Sequence, residues 1–451
     1  MKTLTKSLLM AGIAWVTLMP AAAQDVEALE ARITQLETML AELKADMAKQ
    51  KAHEDQMQEQ IDQERDDIVR LEKTTQEIIQ AAAASAEPTE VEGFRVRDTI
   101  LKFGGFVDFD AHFTHLSGGA IPSNSIARDF HIPNATPVGG LSTDVVDFTA
   151  QASRFFLQGQ RDINGVPLTG YIELDFLGSF QGNERVSSSF APRIRRAYID
   201  YGRFRVGQEW TTFQNTSSIP ESASFLTLAE GQIFIRQPLA RYTHGPFQLA
   251  VETPNTTVAK VGGVSLEADS NFIPDFIARY NAKGDWGNVS ISAIARQLRH
   301  ATPGDDSDTF GYGFSASGRI NVFERSDIRF NVFGGEGVGR YAGLNTFDGA
   351  ALNPITGELE AIPTYGGFFA YRHPFGETAR INVGYSAIKA EHPDFIDPSE
   401  PDFLQSAFAA ILWDLGPNLT VGGEVLYGNR ELESGLDGDI LRFTLSSKYA
   451  F

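Results

Sequence analysis

The chain has 451 residues, a net charge of −20 and no cysteine. The missing thiols exclude disulfides and thiolate metal sites, and the acidic balance argues against nucleic acid as a partner. Glycine is plentiful (42 residues), and 33 phenylalanines against 12 tyrosines suit short, aromatic-rich strands.

Residues 1–23 read as a secretory signal peptide. Lys2 and Lys6 form its positive end, Leu8 to Met19 its apolar core, and Ala21-Ala22-Ala23 a small-residue cleavage site. No later stretch approaches the roughly twenty apolar residues that a spanning helix needs. Residues 24–80 are expected to form a periplasmic α-helical coiled coil. With Val26 at position a, twelve of the sixteen a and d residues from Val26 to Ile78 are apolar. Gln50 and Glu54 make a polar layer that loosens the middle, and the helix would be about 80 Å long. The number of helices in the coil is left open by the mixed a and d residues. Residues 81–98 are a linker, where an alanine run is stopped by Pro88.

Residues 99–451 carry only strand patterns. Val107, Phe109, Ala111 and Phe113 alternate with Asp108, Asp110 and His112. Further on, Ala197, Ile199 and Tyr201 alternate with Arg196, Tyr198 and Asp200. Such strands separate two different solvents: lipid outside and a wet lumen inside, or a core and water in a sandwich. Fifteen more strands are expected after the first, near 145–161, 167–177, 192–201, 203–212 and 237–244, then 247–254, 272–281, 288–299, 310–322 and 327–335, and finally 364–373, 379–390, 404–414, 418–429 and 439–451. Short turns such as Gly202-Arg203 and His244-Gly245-Pro246 alternate with long loops. An even strand number with this two-sided loop rhythm predicts an all-β transmembrane barrel of 16 antiparallel strands. Trp286, Trp413, Tyr201, Phe247 and Phe375 lie beside short turns, where an interfacial aromatic girdle sits. The final strand alternates Leu441, Phe443, Leu445, Tyr449 and Phe451 with polar residues, and its terminal Phe resembles the sorting signal of outer-membrane barrels in Gram-negative bacteria.

Arg205-Val206-Gly207-Gln208, the Ser153-Arg154-Phe155-Phe156 strand and the coiled coil together resemble the DcaP-like porins, a family related to the phosphate-selective porins. The resemblance covers essentially the whole mature chain. It implies a homotrimer of 16-stranded barrels with a periplasmic coiled-coil extension, passing small, often anionic, solutes. Residues 214–236 form the third long loop, and in trimeric porins the third loop folds into the lumen and constricts it.

Strand parity sets Arg154, Arg196, Arg205, Arg241, Arg279 and Arg319 on the lumen side, with Arg236 at the end of the constriction loop. Guanidinium forks match carboxylates and phosphates, so a stripe of them draws anions inward. The alternative is that each arginine neutralises a lumen acid such as Asp108, Glu173, Asp175 or Glu209. Glu221 and Glu230 on the loop face the stripe or pin the loop to the wall. These residues predict an outer-membrane diffusion channel for small hydrophilic solutes, preferring anions or dicarboxylates. The alternative function is an envelope tether or adhesin whose barrel is only an anchor. An enzyme of the outer-membrane lipase type needs a serine, a histidine and an orienting group at one rim. No such triple is evident, so no catalytic residue is assigned.

No cofactor or metal is expected either. His112 and His115 fall on opposite faces of one strand, and Asp162-Ile163-Asn164-Gly165 starts like a calcium loop but reads as a hairpin turn. The acids Asp305, Asp306, Asp308, Asp437 and Asp439 are solvated loop residues or gather divalent ions bound to lipopolysaccharide. Besides lipid and lipopolysaccharide, the coiled coil is expected to meet peptidoglycan or a periplasmic protein.

Overall fold

The computed structural model describes residues 93–451 except 179–181, 184–187, 260–264, 269 and 303–304, together with six N-terminal positions. Those six, Glu37, Ala41, Lys44, Ala48, Lys49 and Lys51, are helical and exposed, and none is an a or d position of the expected heptad. The signal peptide, the coiled-coil seam and most of the linker lie outside the described residues. The chain divides into two units, Met1–Glu90 and Val91–Phe451.

Sixteen antiparallel strands follow one another around the second unit. The first seven are β1 (Thr99–Leu116), β2 (Thr143–Thr149, resumed at Arg154–Ile163), β3 (Val166–Asp175), β4 (Arg193–Tyr201), β5 (Phe204–Trp210), β6 (Arg236–His244) and β7 (Phe247–Glu252). Next come β8 (Asp275–Gly284), β9 (Gly287–Thr302), β10 (Asp305–Val322), β11 (Ser326–Glu336) and β12 (Pro363–Phe375). The last are β13 (Ala379–Ala390), β14 (Pro401–Gly416), β15 (Leu419–Leu432) and β16 (Asp437–Ala450). Each pairs with the next, and β16 closes on β1 from Phe106↔Ala450 to Leu116↔Ile440. Closure matters because an unpaired strand edge in hydrocarbon would cost several kcal/mol per polar group.

The expected strands are present, with two departures from strict alternation. The second strand is broken at Ala150–Ser153, where Ser153 replaces the ladder: its Oγ accepts from Asp108 N at 3.0 Å and donates to Asp108 O at 3.2 Å. On the β3–β4 ladder Glu173 is aligned with Arg196, and Leu174 with Ile194, so Arg195 is an extra residue on its strand. A bulge of this kind re-aims side chains, and both Arg195 and Arg196 reach Glu173.

The outer surface is apolar. Phe103, Val107, Phe109 and Phe113 are exposed, while Asp108, Asp110, His112 and Thr114 on the same strand are buried inside. His115 points the other way and meets Asp144 at 2.7 Å. Trp286, Trp413, Tyr201, Phe247 and Phe375 are all exposed at the short-turn rim. The Asp162 turn is a hairpin, with Gly165 N donating to Asp162 Oδ1 at 2.6 Å and positive φ at Asn164 and Gly165.

The interior differs from an open, water-filled cylinder. Parts of residues 117–142 and 337–362, together with residues 211–235, pack inward and build apolar cores against the wall. One joins Phe213, Ile233, Tyr341 and Phe347 to the wall residues Ile277, Ile294, Phe333 and Ile388. Another sets Ile121, Ala127 and Leu228 on Phe368, Phe408 and Leu426. A third joins Phe130, Leu177, Leu226 and Ala229. Where the loops pack, inward wall residues are therefore apolar as well, and each fully buried leucine contributes about 1.5–3 kcal/mol.

The β4–β5 hairpin depends on one glycine. Gly207 has φ +129°, and a Cβ there would stand 2.3 Å from the carbonyl oxygen of Ala197. Gly207→Ala is expected to lose about 1–3 kcal/mol, read as a lower urea midpoint followed by tryptophan fluorescence. An unchanged midpoint would show that the hairpin relaxes without strain.

Candidate functional site: a loop held inside the barrel

The third long loop leaves β5 and returns on β6, and Thr211 N donates to Ile235 O at 3.1 Å to close its base. Backbone buried in a dry interior needs partners, and the wall supplies them along the whole path. Near the base, Thr212 N donates to Glu252 at 2.7 Å and Ser292 Oγ donates to Phe213 O at 3.1 Å. Arg241 donates to Thr212 Oγ1 at 2.7 Å and to Trp210 O, and Arg279 donates to the carbonyls of Thr212 and Gln214. Two of the predicted arginines are thus loop anchors.

The loop then crosses to the far wall. Arg329 donates to Ile219 O at 2.6 Å. Glu424 accepts from Ala223 N at 3.0 Å and from Ser224 Oγ at 2.6 Å. At the tip, Gly231 N donates to Ser386 Oγ at 2.6 Å and Gly231 O accepts from Asn331 at 2.7 Å. Gly231 lies so close to β12 that a Cβ would stand 2.1 Å from the Gly367 backbone. On the way back, Phe234 N donates to Tyr341 O at 3.0 Å, and Ile233 bridges Ala342.

The two loop acids have partners other than the expected arginine stripe. Glu221 gathers Arg380 at 2.5 Å, Arg372 at 3.5 Å and Arg329 at 3.6 Å, three arginines of β11–β13. Glu230 meets His131 at 2.8 Å and Ser406 at 2.5 Å, joining the first long loop to the third. Of the two options raised by the sequence, pinning to the wall describes both.

On the β2–β6 wall the arginines sit among acids and aromatic rings. Arg196 makes a two-pronged contact with Glu209 at 2.7 Å and lies 4.9 Å over Tyr171. Arg205 forks onto Asp200 at 2.7 and 2.8 Å, touches Glu209 at 2.5 Å and lies 3.9 Å over Tyr198. Arg154 stands 3.8 Å from Glu173 and 5.0 Å over Phe106. Arg236 lies 4.7 Å over Trp210, which in turn meets Phe234. For Arg196 and Arg205 the neutralising alternative holds.

Several charged side chains of the lumen are not marked by the sequence pattern. Arg195 is buried between Glu173 at 2.8 Å and Asp175 at 2.5 Å, and Arg193 meets Asp175 at 2.6 Å. Strict alternation hides Arg195, because the bulge that turns it inward leaves no mark in composition. Arg329, Arg372 and Arg380, by contrast, were legible by the same parity argument applied to β11–β13. Arg319, like Arg236, has no hydrogen-bond or ion-pair partner among the described residues, and its Nε is buried.

A four-stranded sheet forms above the strands at the long-loop rim, from Leu266–Ala268, Thr256–Ala259, Ala350–Leu352 and Leu359–Ala361. Glu400 lies in the neighbouring loop. Burial, and then the carboxylates of Asp348 and Asp397, push its carboxyl up to about 7.

A closed sixteen-stranded antiparallel cylinder, apolar outside and polar within, is the architecture of an outer-membrane barrel. The chain belongs to the DcaP outer membrane protein family, whose model matches residues 48–451. No curated protein matches the sequence. Among solved structures, the outer membrane channel DcaP of Acinetobacter baumannii is similar in fold at 18% identity, with 80% of this chain and 99% of that chain covered and a TM-score of 0.65. OmpT, an outer membrane protein of Vibrio cholerae, matches at 11% identity, with 80% and 100% covered and a TM-score of 0.49. An anion-selective porin from Comamonas acidovorans matches at 14% identity, with 78% and 100% covered and a TM-score of 0.48.

The Glu400 carboxyl gives a pH signature. A group whose folded pKa is raised stabilises the fold fully below its unfolded pKa, and that contribution is lost as pH rises through about 7. Glu400→Gln is therefore expected to raise the thermal midpoint relative to wild type at pH 8, with the difference shrinking towards pH 5. A difference independent of pH would remove Glu400 as its source.

Proposed function

We propose that this chain is a porin: a passive channel for small hydrophilic solutes, preferring anions or dicarboxylates, and narrowed by its third long loop. The observation that carries the reading is this loop's path across the lumen from β5 to β15 and back, pinned by wall side chains. The anion preference rests on arginines that lack a carboxylate partner, Arg319 foremost. The wet remainder of the lumen carries the solute, and uncompensated guanidinium groups set its sign of selectivity.

Conductance in planar bilayers tests this directly. Wild type is expected to conduct, with a reversal potential in a salt gradient of anion-selective sign. Deleting Ser217 to Thr227 is expected to raise single-channel conductance and admit larger solutes. The inward packing of three loops is the observation that favours the second reading, an envelope tether with the barrel as anchor. A wild-type chain that inserts but carries no current would establish that reading instead.

The assembly proposed is a homotrimer, and strand length supports it. A tilted barrel strand needs about 9–11 residues to cross the hydrocarbon. The strands β5 and β7 have 7 and 6 residues, whereas β9 and β10 have 16 and 18. The strands β5 and β7 are too short to face lipid alone, and their exposed Val206, Phe204, Leu249 and Val251 suit contact with other copies. Residues 24–80 then extend as a periplasmic coiled coil towards peptidoglycan or a periplasmic protein, while the long loops meet lipopolysaccharide. A chain lacking residues 24–90 is expected to remain a heat-sensitive oligomer in detergent, because the walls hold it together. Recovery of monomers alone would assign the assembly to the helices.

A further inference from the structure

Between the first turn of the third loop and the short-turn ends of β6–β10 lies a cavity of about 760 Å³. Arg279, Lys283 and Arg319 line it, and no aspartate or glutamate does. This sets it apart from the arginine groups of β3–β5 and β11–β13, where carboxylates pair off the charge. Lys283 and Arg319 have no hydrogen-bond or ion-pair partner among the described residues, and the buried Nε atoms of Arg279 and Arg319 are unpaired.

The rest of the lining is neutral and of one kind. It is rich in carboxamides, Asn215, Asn281, Asn288, Asn321 and Gln248, with the hydroxyls of Ser217, Thr243 and Ser290 between them. Several of these groups are already oriented: Asn288 Oδ1 accepts from Asn215 at 3.2 Å and from Ser217 at 2.6 Å, which turns its amide nitrogen the other way. Gln248 Oε1 is buried without a donor. No aromatic ring lines the cavity, in contrast to the tyrosine and arginine wall of β3–β5.

We propose that this cavity is a binding station for a small polyhydroxylated oxyanion, a sugar acid or a sugar phosphate. The chemistry divides between two sets of groups. Guanidinium and ammonium groups without carboxylate partners bind the carboxylate or phosphate by charge-assisted hydrogen bonds. Carboxamides donate and accept at once, as a hydroxyl does, and so recognise the polyol part. An aliphatic dianion leaves the amides unused, and a neutral sugar leaves the cations unused. The absence of rings gives planar aromatic acids no stacking surface. The site deepens the anion-channel reading, since it stands at the short-turn end of the same lumen, but its occupancy is measurable without any current.

The test is isothermal titration of the detergent-solubilised full-length protein with gluconate, glucose 6-phosphate, glucose and succinate. Gluconate or glucose 6-phosphate is expected to bind more tightly than glucose and succinate, and the ratio of the first two tells carboxylate from phosphate preference. Arg319→Gln is expected to weaken that binding by about tenfold or more. Asn288→Asp keeps the acceptor for Asn215 and Ser217 and adds a negative charge, and it is expected to abolish binding while the heat-sensitive oligomer persists. Equal binding of all four ligands, or none, would overturn the proposal, as would affinities unchanged in both variants. An anion-selective reversal potential with no such binding would sink the station and leave the channel reading standing. Binding without anion selectivity would do the reverse.

Discussion

Everything inside this barrel depends on keeping buried backbone hydrogen-bonded where the interior is packed rather than wet. A loop of irregular backbone can lie within a membrane protein only if protein or water satisfies its polar groups. Here the wall does so with polar side chains: Ser386 and Asn331 hold Gly231, and Glu424 holds Ala223 and Ser224. Ser406 fixes the carboxylate of Glu230 in the same way. Those partners come from four different strands, so the loop is positioned by the closed sheet as a whole. The close approach at Gly231 and Gly367 follows, because hydrogen bonds of 2.6 and 2.7 Å at the two backbone groups flanking one α-carbon leave no room for a side chain.

Charge in the lumen is arranged by quadrant. On β3–β5, Glu173, Asp175, Asp200 and Glu209 absorb most of the arginine charge. On β11–β13, Glu221 and Asp327 do the same for Arg329, Arg372 and Arg380. Three arginines on β6, β8 and β10 are different: Arg241 and Arg279 spend their donors on carbonyl and hydroxyl oxygens, and Arg319 has no partner among the described residues, whereas Arg296 and Arg299 of β9 pair with Asp275 and Asp306. Carbonyl contacts leave the full positive charge in place. The local field therefore follows which guanidinium groups lack carboxylates, and the acidic total of the chain says little about it.

The aromatic rings and the paired arginines also act together. Arg196 and Arg205 lie over Tyr171 and Tyr198, which are themselves stacked 5.1 Å apart. Carboxylate forks on one side and ring faces on the other leave each guanidinium little freedom. Such groups form a stiff, preordered wall, and Gly207 lets β4 and β5 approach closely enough to build it.

The sixteen strands, their order, the short and long connections and the outward aromatic residues were all legible in the chain, because a strand separating two solvents must alternate with period two. Val107, Phe109 and Phe113 could face only lipid once Asp108, Asp110 and His112 faced inward. The third long loop was singled out from its place in the count, but nothing in the chain marked the first long loop and residues 337–349 as packing inward beside it. What tertiary structure alone decided is which charges meet. The bulge at Arg195 breaks the alternation on which every parity argument rests, and the break at Ser153 interrupts a strand that reads as continuous. Glu221 and Glu230 carry no sequence mark that selects Arg380 or His131, which lie far along the chain. Nor does alternation reveal that Ile277, Phe333 and Ile388 face inward onto packed loops, since an apolar residue on the lumen side looks like an exception until the loop that covers it is in place. Alternation along a strand is a local rule set by backbone geometry; the pairing of charges across a lumen is settled only when the cylinder closes.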